Sequence, residues 1–202
     1  VNSHTEYGTN NNLLPYPQGR IVRGWNTASA DRNLTTDGCP HGTHVAGIAA
    51  ATGNNSLGVA GVTWGAYIMP VRVLTGCGGY VSHLADGIKW AADNGADVGN
   101  MSLQYYGLNQ SEYDLLSGAI DYAHDLGMIL IAAAGNTPFG PSITYVAYPA
   151  RLPRCMAVSA TDNRDNLASF SHYGNEIDVC APGDDIYSTW TSNSYTYLYG
   201  TS

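Results

Sequence analysis

Five short apolar runs constrain this chain more than any other feature: Tyr67 to Leu74, Val98 to Leu103, Met128 to Ala133, Met156 to Ala160 and Ile177 to Ala181. A strand with one wet face alternates apolar and polar residues, because successive side chains point to opposite faces. Runs without that alternation are expected of strands covered on both faces, as in parallel sheets. Helical patterns lie between them. Leu84, Ile88, Ala91 and Ala92 fall on one helix face, and Leu115, Ala119, Ile120, Ala123 and Leu126 on another. Gly95 and Gly127 stand where these helices should close, and Ser111 with Asp114 predicts the amino-terminal cap of the second. Strand, helix and strand in repetition predict an α/β fold with a parallel sheet. The polar segment before residue 40, with Asn10, Asn11, Asn12, Pro15 and Pro17, reads as surface loop with one short strand near Arg20 to Trp25. No repeat or domain boundary interrupts the 202 residues, so one domain is expected.

Composition narrows the function. Hydrophobic residues make up 44% of the chain, enough for a core, and charged residues only 12%. The net charge is −8, with Lys89 the only lysine, which disfavours binding to phosphate backbones. No apolar run approaches the ~20 residues that span a bilayer, so a soluble chain is expected. The chain starts at Val1 without a basic and apolar leader. Cys39, Cys77, Cys155 and Cys180 form no C-x-x-C pair, and the six histidines do not cluster with them at zinc spacing. Cys155 and Cys180 fall in apolar strands and read as small buried hydrophobes.

Three distant segments carry chemistry. His41-Gly42-Thr43-His44-Val45-Ala46-Gly47 opens an alanine-rich helix, Ala132-Ala133-Ala134-Gly135-Asn136 closes the most apolar strand, and Gly200-Thr201-Ser202 ends the chain. In this order they resemble the subtilisin-like serine proteases (subtilases), whose catalytic residues run Asp, His, Ser. The resemblance extends through Ile68 to Leu74, Asn100 to Leu103, Asn166 to Gly174 and Ala181 to Gly183. It implies a three-layer α/β/α fold with a mainly parallel central sheet. It also implies a secreted, monomeric serine endopeptidase that acts on polypeptides through an acyl-enzyme, with a propeptide inhibitor as a further partner the family allows.

The resemblance assigns roles residue by residue. A serine hydroxyl needs a neighbouring base to become nucleophilic. Ser202 matches the nucleophile, His41 the base, and Asn136 the side chain that binds the oxyanion together with the serine N–H. The family's aspartate should precede a segment like Val1-Asn2-Ser3-His4; Asp31 and Asp37 read as loop residues instead. The strand carrying that aspartate is therefore expected before Val1 and the helix carrying the serine after Ser202, and residues 1–202 alone are expected to be inactive. Ser102 and Leu103, with Ala133, Ala134 and Gly135, match the walls of the primary specificity pocket, and Ala147 its base. Cys77, Gly78 and Gly79 match the edge strand that pairs with an extended peptide. Gln104 stands where the family has glycine, and Gly99 where it has isoleucine or valine. An apolar residue beside the cleaved bond is expected.

Gly53 to Gly61 resembles the family's tight calcium loop, with Asn55 offering a side-chain oxygen, Gly53, Leu57 and Val59 carbonyls, and Glu6 the carboxylate. The same Asn-Asn-Ser sequence also suits an ordinary turn. Some extracellular members pair cysteines near Cys39 and Cys77, each here displaced by about one position, which leaves that disulfide open. His44 reads as a hydrogen-bonded core residue; His83, His124 and His172 read as surface or capping residues. Two other functions fit the same residues: a subtilase-like module that binds peptides without cleaving them, and a calcium-stabilised structural domain.

Overall fold

The computed structural model describes residues 20–32, 34, 39–137 and 143–202. It falls into two compact units: Val1–Gly87 with Tyr187–Tyr197, and Ile88–Ile186 with Leu198–Ser202.

In the first unit, β1 (Trp25–Asn26) pairs in parallel with β2 (Val71–Arg72). The expected strand over residues 67–74 is broken by Pro70, which has no N–H to donate to a ladder. Its carbonyl still accepts from Trp25 N–H at 3.1 Å, and Ile21 bridges Ile68 just upstream, so one parallel ribbon runs past the proline. Helix α1 (His41–Ala50) buries Thr43, His44, Ala46, Gly47 and Ala50. It lies close against β7 (Ile186–Thr189): a Cβ on Gly47 would overlap the hydroxyls of Ser188 and Thr189. Those hydroxyls donate to the carbonyls of His44 (2.8 Å) and Thr43 (2.7 Å). His44 is buried with Nε2 3.2 Å from the Thr196 carbonyl, a core histidine with a partner as expected. The open question over cysteine pairing closes here, since Cys39 and Cys77 form a disulfide. Helix α2 (Val81–Asp93) begins in this unit, ends in the second and buries Val81, Leu84, Ala85, Ile88 and Ala91.

The second unit is built on four parallel strands in the order β3 (Val98–Met101), β4 (Ile129–Ala133), β5 (Met156–Thr161), β6 (Val179–Pro182). Burial follows the apolar runs only in part in β4 and β5: Leu130, Ala132, Ala133, Ala157, Ser159 and Ala160 are buried, while Ile129 and Met156 at the strand starts are exposed. β6 differs, with all four residues exposed. Cys180 is therefore exposed, contrary to the sequence reading, while Cys155 is buried and its thiol is pushed up to about 12 by burial and then by Asp178.

Helix α3 (Gln110–Asp125) packs on β4 through Leu116, Ala119, Ile120 and Ala123. Its buried face is rotated from the one expected: Leu116 takes the place of Leu115, and Leu115 and Leu126 are exposed. Its cap also differs. Asn109, not Ser111, accepts from Glu112 N–H at 3.0 Å, and Glu112 Oε2 accepts from Asn109 N–H at 3.0 Å, a reciprocal capping box. Asp114 is instead engaged by Gln110 Nε2 at 2.7 Å. Gly95 (φ 79°) and Gly127 (φ 90°) close α2 and α3 in the left-handed conformation anticipated for them.

Candidate active site

In open α/β sheets, ligand sites form beyond the carboxyl ends of parallel strands. Here β3 and β4 are in register up to Met101 and Ala132, and the chain past those residues carries the candidate groups of the second unit.

Asn136 lies three residues past β4 and forms an isolated antiparallel bridge with Ser171. In such a bridge the two central residues can point their own N–H and C=O away from each other, the flanking residues making the bonds. That is the arrangement found: Thr137 N–H donates to Phe170 O at 2.8 Å and His172 N–H to Gly135 O at 3.0 Å. The main-chain groups of Asn136 turn to the other side. Its N–H donates to Gln104 Oε1 at 2.7 Å, and its carbonyl accepts from Tyr106 O–H at 3.4 Å. The phenol of Tyr106 is held above its usual range by burial and then by Tyr145, which keeps it a donor.

The side chain of Asn136 is fixed as well. Its Oδ1 accepts from Thr201 N–H at 2.9 Å, and because a backbone N–H can only donate, the carboxamide orientation is determined. Nδ2 is left as the group offered outward. Thr201 is buried, and its hydroxyl accepts from Gly135 N–H at 3.1 Å. Gly200 N–H donates to Gly183 O at 2.8 Å, docking the Gly-Thr-Ser segment next to β6. Ser202 is exposed; its main-chain oxygen accepts from Ser102 Oγ at 2.9 Å, and that hydroxyl in turn accepts from Asn100 Nδ2 at 2.9 Å.

Ala133, Ala134 and Ala147 are buried, with Ala147 N–H donating to Ala134 O at 2.8 Å. Gly135 has φ 112°, and a Cβ there would lie 2.5 Å from His172 Nδ1 and 3.0 Å from Ala147 Cβ. His172 is thus not the surface residue expected. It is 1% exposed, and its Nε2 lies 2.9 Å from Thr137 Oγ1. Burial lowers its pKa, an effect the Tyr145 main chain partly opposes.

The structure therefore brings together Asn136, Ser202, Ser102, Ala133, Ala134, Gly135 and Ala147, with Leu103 half-buried beside Ser102. Thr201, Gln104, Tyr106 and His172 also belong to this constellation. Gln104 was visible as a departure from the family glycine, but no sequence signal marked His172.

The other candidates lie in the first unit. His41 is the first residue of α1 and is half-buried. Cys77 and Gly78 sit in a turn, not an extended strand: Thr75 N–H donates to Gly78 O at 2.8 Å, Gly78 N–H to Thr75 O at 3.4 Å, and Gly76 adopts φ 61°. Gly78 and Gly79, with Thr75, Tyr80 and His83, line a cavity of about 290 Å³. Gly53, Asn55, Leu57 and Val59 lie in an irregular loop in which Asn54 (φ 57°) and Ser56 (φ 59°) are left-handed. Asn55 Oδ1 accepts from Leu57 N–H at 3.0 Å, a local side-chain turn of the kind this sequence also suits, with a second lone pair on that oxygen. The loop's donors are neutral oxygens, chemistry that suits a hard cation. Glu6, the carboxylate of the set, lies outside the described residues, as does Asp37, and among the described residues no group of three or more His, Cys, Asp and Glu could hold a metal.

A parallel sheet whose strand ends carry an oriented asparagine amide beside a Gly-Thr-Ser segment defines a subtilisin-like α/β fold. The chain belongs to the subtilase family, whose model matches residues 7–202. It is 44% identical to thermitase from Thermoactinomyces vulgaris over 91% of its length and 63% of that protein's. It is also 44% identical to a thermophilic serine proteinase of Bacillus sp. (strain AK1), over 93% of its length and 45% of that protein's. A cold-adapted subtilisin-like serine proteinase superposes with a TM-score of 0.78 at 32% identity, covering 99% of this chain and 65% of that one. The chain thus spans about half to two thirds of the length of these relatives.

Proposed function

We propose that this chain supplies the base, the nucleophile and the oxyanion donor of a serine endopeptidase. Ser202 Oγ attacks the scissile carbonyl while His41 takes its proton. The oxyanion is bound by Asn136 Nδ2 and Ser202 N–H. Collapse expels the amine, protonated by His41, and leaves an acyl-enzyme that water hydrolyses with His41 again as base. The orienting carboxylate has no matching position within residues 1–202. The observation that carries this reading is the Thr201 N–H to Asn136 Oδ1 bond, which aims the carboxamide donor next to the serine. A preset donor costs no reorganisation when charge develops, and losing one in this family costs ~10²–10³ in turnover, a magnitude taken from the subtilisin example itself.

Ala133, Ala134 and Ala147 offer a small apolar wall, which supports an apolar side chain before the cleaved bond. Polypeptides are the substrates, secretion is the destination, and a propeptide and monomeric state follow the family. A structural calcium ion would be held by Asn55, the carbonyls of Gly53, Leu57 and Val59, and Glu6. It would tie the loop to the preceding segment and take no part in the reaction.

The test is covalent capture in the full-length protein. A fluorophosphonate probe should label Ser202, and S202A should abolish both labelling and peptide hydrolysis. A labelled residue other than Ser202, or binding of peptides without labelling, overturns the peptidase reading, the second outcome in favour of a peptide-binding module. Chelation should lower the melting midpoint; an unchanged midpoint removes calcium.

A further inference from the structure

We infer that Gln104 is a positioning residue for the oxyanion donor Asn136, an inference that rests on the role proposed for that asparagine. The ladder between β3 and β4 ends at Met101 and Ala132, so residues beyond it have no strand partner for their main-chain groups. Asn136 faces Ser171 in a bridge whose hydrogen bonds are made by its neighbours, which turns its own N–H back toward the chain after β3. Nothing from the main chain meets it there. The Gln104 side chain does, with Oε1 at 2.7 Å. A backbone donor fixes this amide's orientation too, so the carbonyl end of Gln104 is spent on Asn136.

The consequence is a complete clamp. The N–H of Asn136 goes to Gln104, its C=O to Tyr106, and its Oδ1 to Thr201 N–H, which leaves Nδ2 as the polar group available to a developing negative charge. The family glycine noted at this position has no side chain to make such a bond, so this chain uses a side chain where another could not. Removing Oε1 leaves a partly buried N–H unpaired, and the peptide plane carrying the carboxamide can then rotate. Because the oxyanion forms only on the way to the tetrahedral intermediate, the loss should appear in kcat and not in KM.

The experiment pairs Q104M, which keeps the bulk but removes the acceptor, with N136L in the full-length protein, assayed on a peptide anilide with an apolar residue before the scissile bond. Q104M should lower kcat about 10-fold, with KM unchanged within about twofold. In the N136L background the same substitution should change kcat by less than about twofold, since its effect passes through the missing amide. Q104G provides a second test with the side chain removed, and melting midpoints identify any variant that fails to fold. Equal effects of Q104M in both backgrounds, or no effect in the wild type, overturn the positioning role. If N136L itself leaves kcat intact, the oxyanion assignment fails and this inference fails with it, a result distinct from the other two.

Discussion

Cleaving the Cys39–Cys77 disulfide should cost this protein a large share of its stability. The two cysteines are 38 positions apart, and a cross-link of that span removes loop-closure entropy from the unfolded chain. In the chain-entropy account the effect is about 4 kcal/mol at 25 °C, against a total stability of ~5–15 kcal/mol for a typical domain. At ~2–4 °C per kcal/mol for a domain of this size, the midpoint should fall by about 8–16 °C. The measurement is urea and thermal denaturation of C39S/C77S beside the wild type with and without reductant. The variant and the reduced wild type should coincide. Cys155 should not interfere, because its buried thiol stays protonated, but exposed Cys180 can exchange, so each comparison is repeated with C180S. A loss below about 1 kcal/mol in the double variant would refute the reasoning: the reduced chain would then already be as restricted as the oxidised one.

G135A should be strongly destabilising, by about 2–5 kcal/mol in denaturant titration, because alanine at φ 112° is strained and its methyl meets His172 and Ala147; a change within about 0.5 kcal/mol, the spread of neutral substitutions, would contradict the close approach. His172 has its pKa lowered in the folded state, so the unfolded chain binds the proton more readily. Stability from this residue is fully present above its unfolded value of 6.5 and is lost as pH falls from there toward the folded pKa. H172N should flatten the stability–pH curve in that window, and an unchanged slope would count against burial of a neutral ring. N109A should cost about 1 kcal/mol and N109D much less, since aspartate preserves the acceptor for Glu112 N–H; equal losses would deny the cap.

Sequence alone determined the parts of this protein that local chemistry dictates. The apolar runs located β3 to β6, because such runs favour extended chain in a parallel sheet, but they did not set burial, since β6 is exposed throughout. Gly95 and Gly127 marked helix ends, since few other residues accept the left-handed closing turn. The Gly-Thr-Ser, His-Gly-Thr-His and Ala-Ala-Ala-Gly-Asn segments carried the resemblance to subtilases. Even some misreadings were local: Asn109 and Glu112 spell a capping box that outranks Ser111 and Asp114, and Pro70 forbids a continuous ladder across residues 67–74.

Other features depended on neighbours distant in sequence. Burial of His172, exposure of Cys180 and Leu126, and pairing of Cys39 with Cys77 depend on which segments the fold sets side by side. No periodicity encodes that. The same holds for Asn136. Its type identified a candidate donor, but Gln104, Tyr106, Thr201 and the 170–172 segment aim it, and each reaches it from a separate stretch of chain. A hydrogen bond needs a partner at about 3 Å in the right direction, and only the folded backbone supplies that direction.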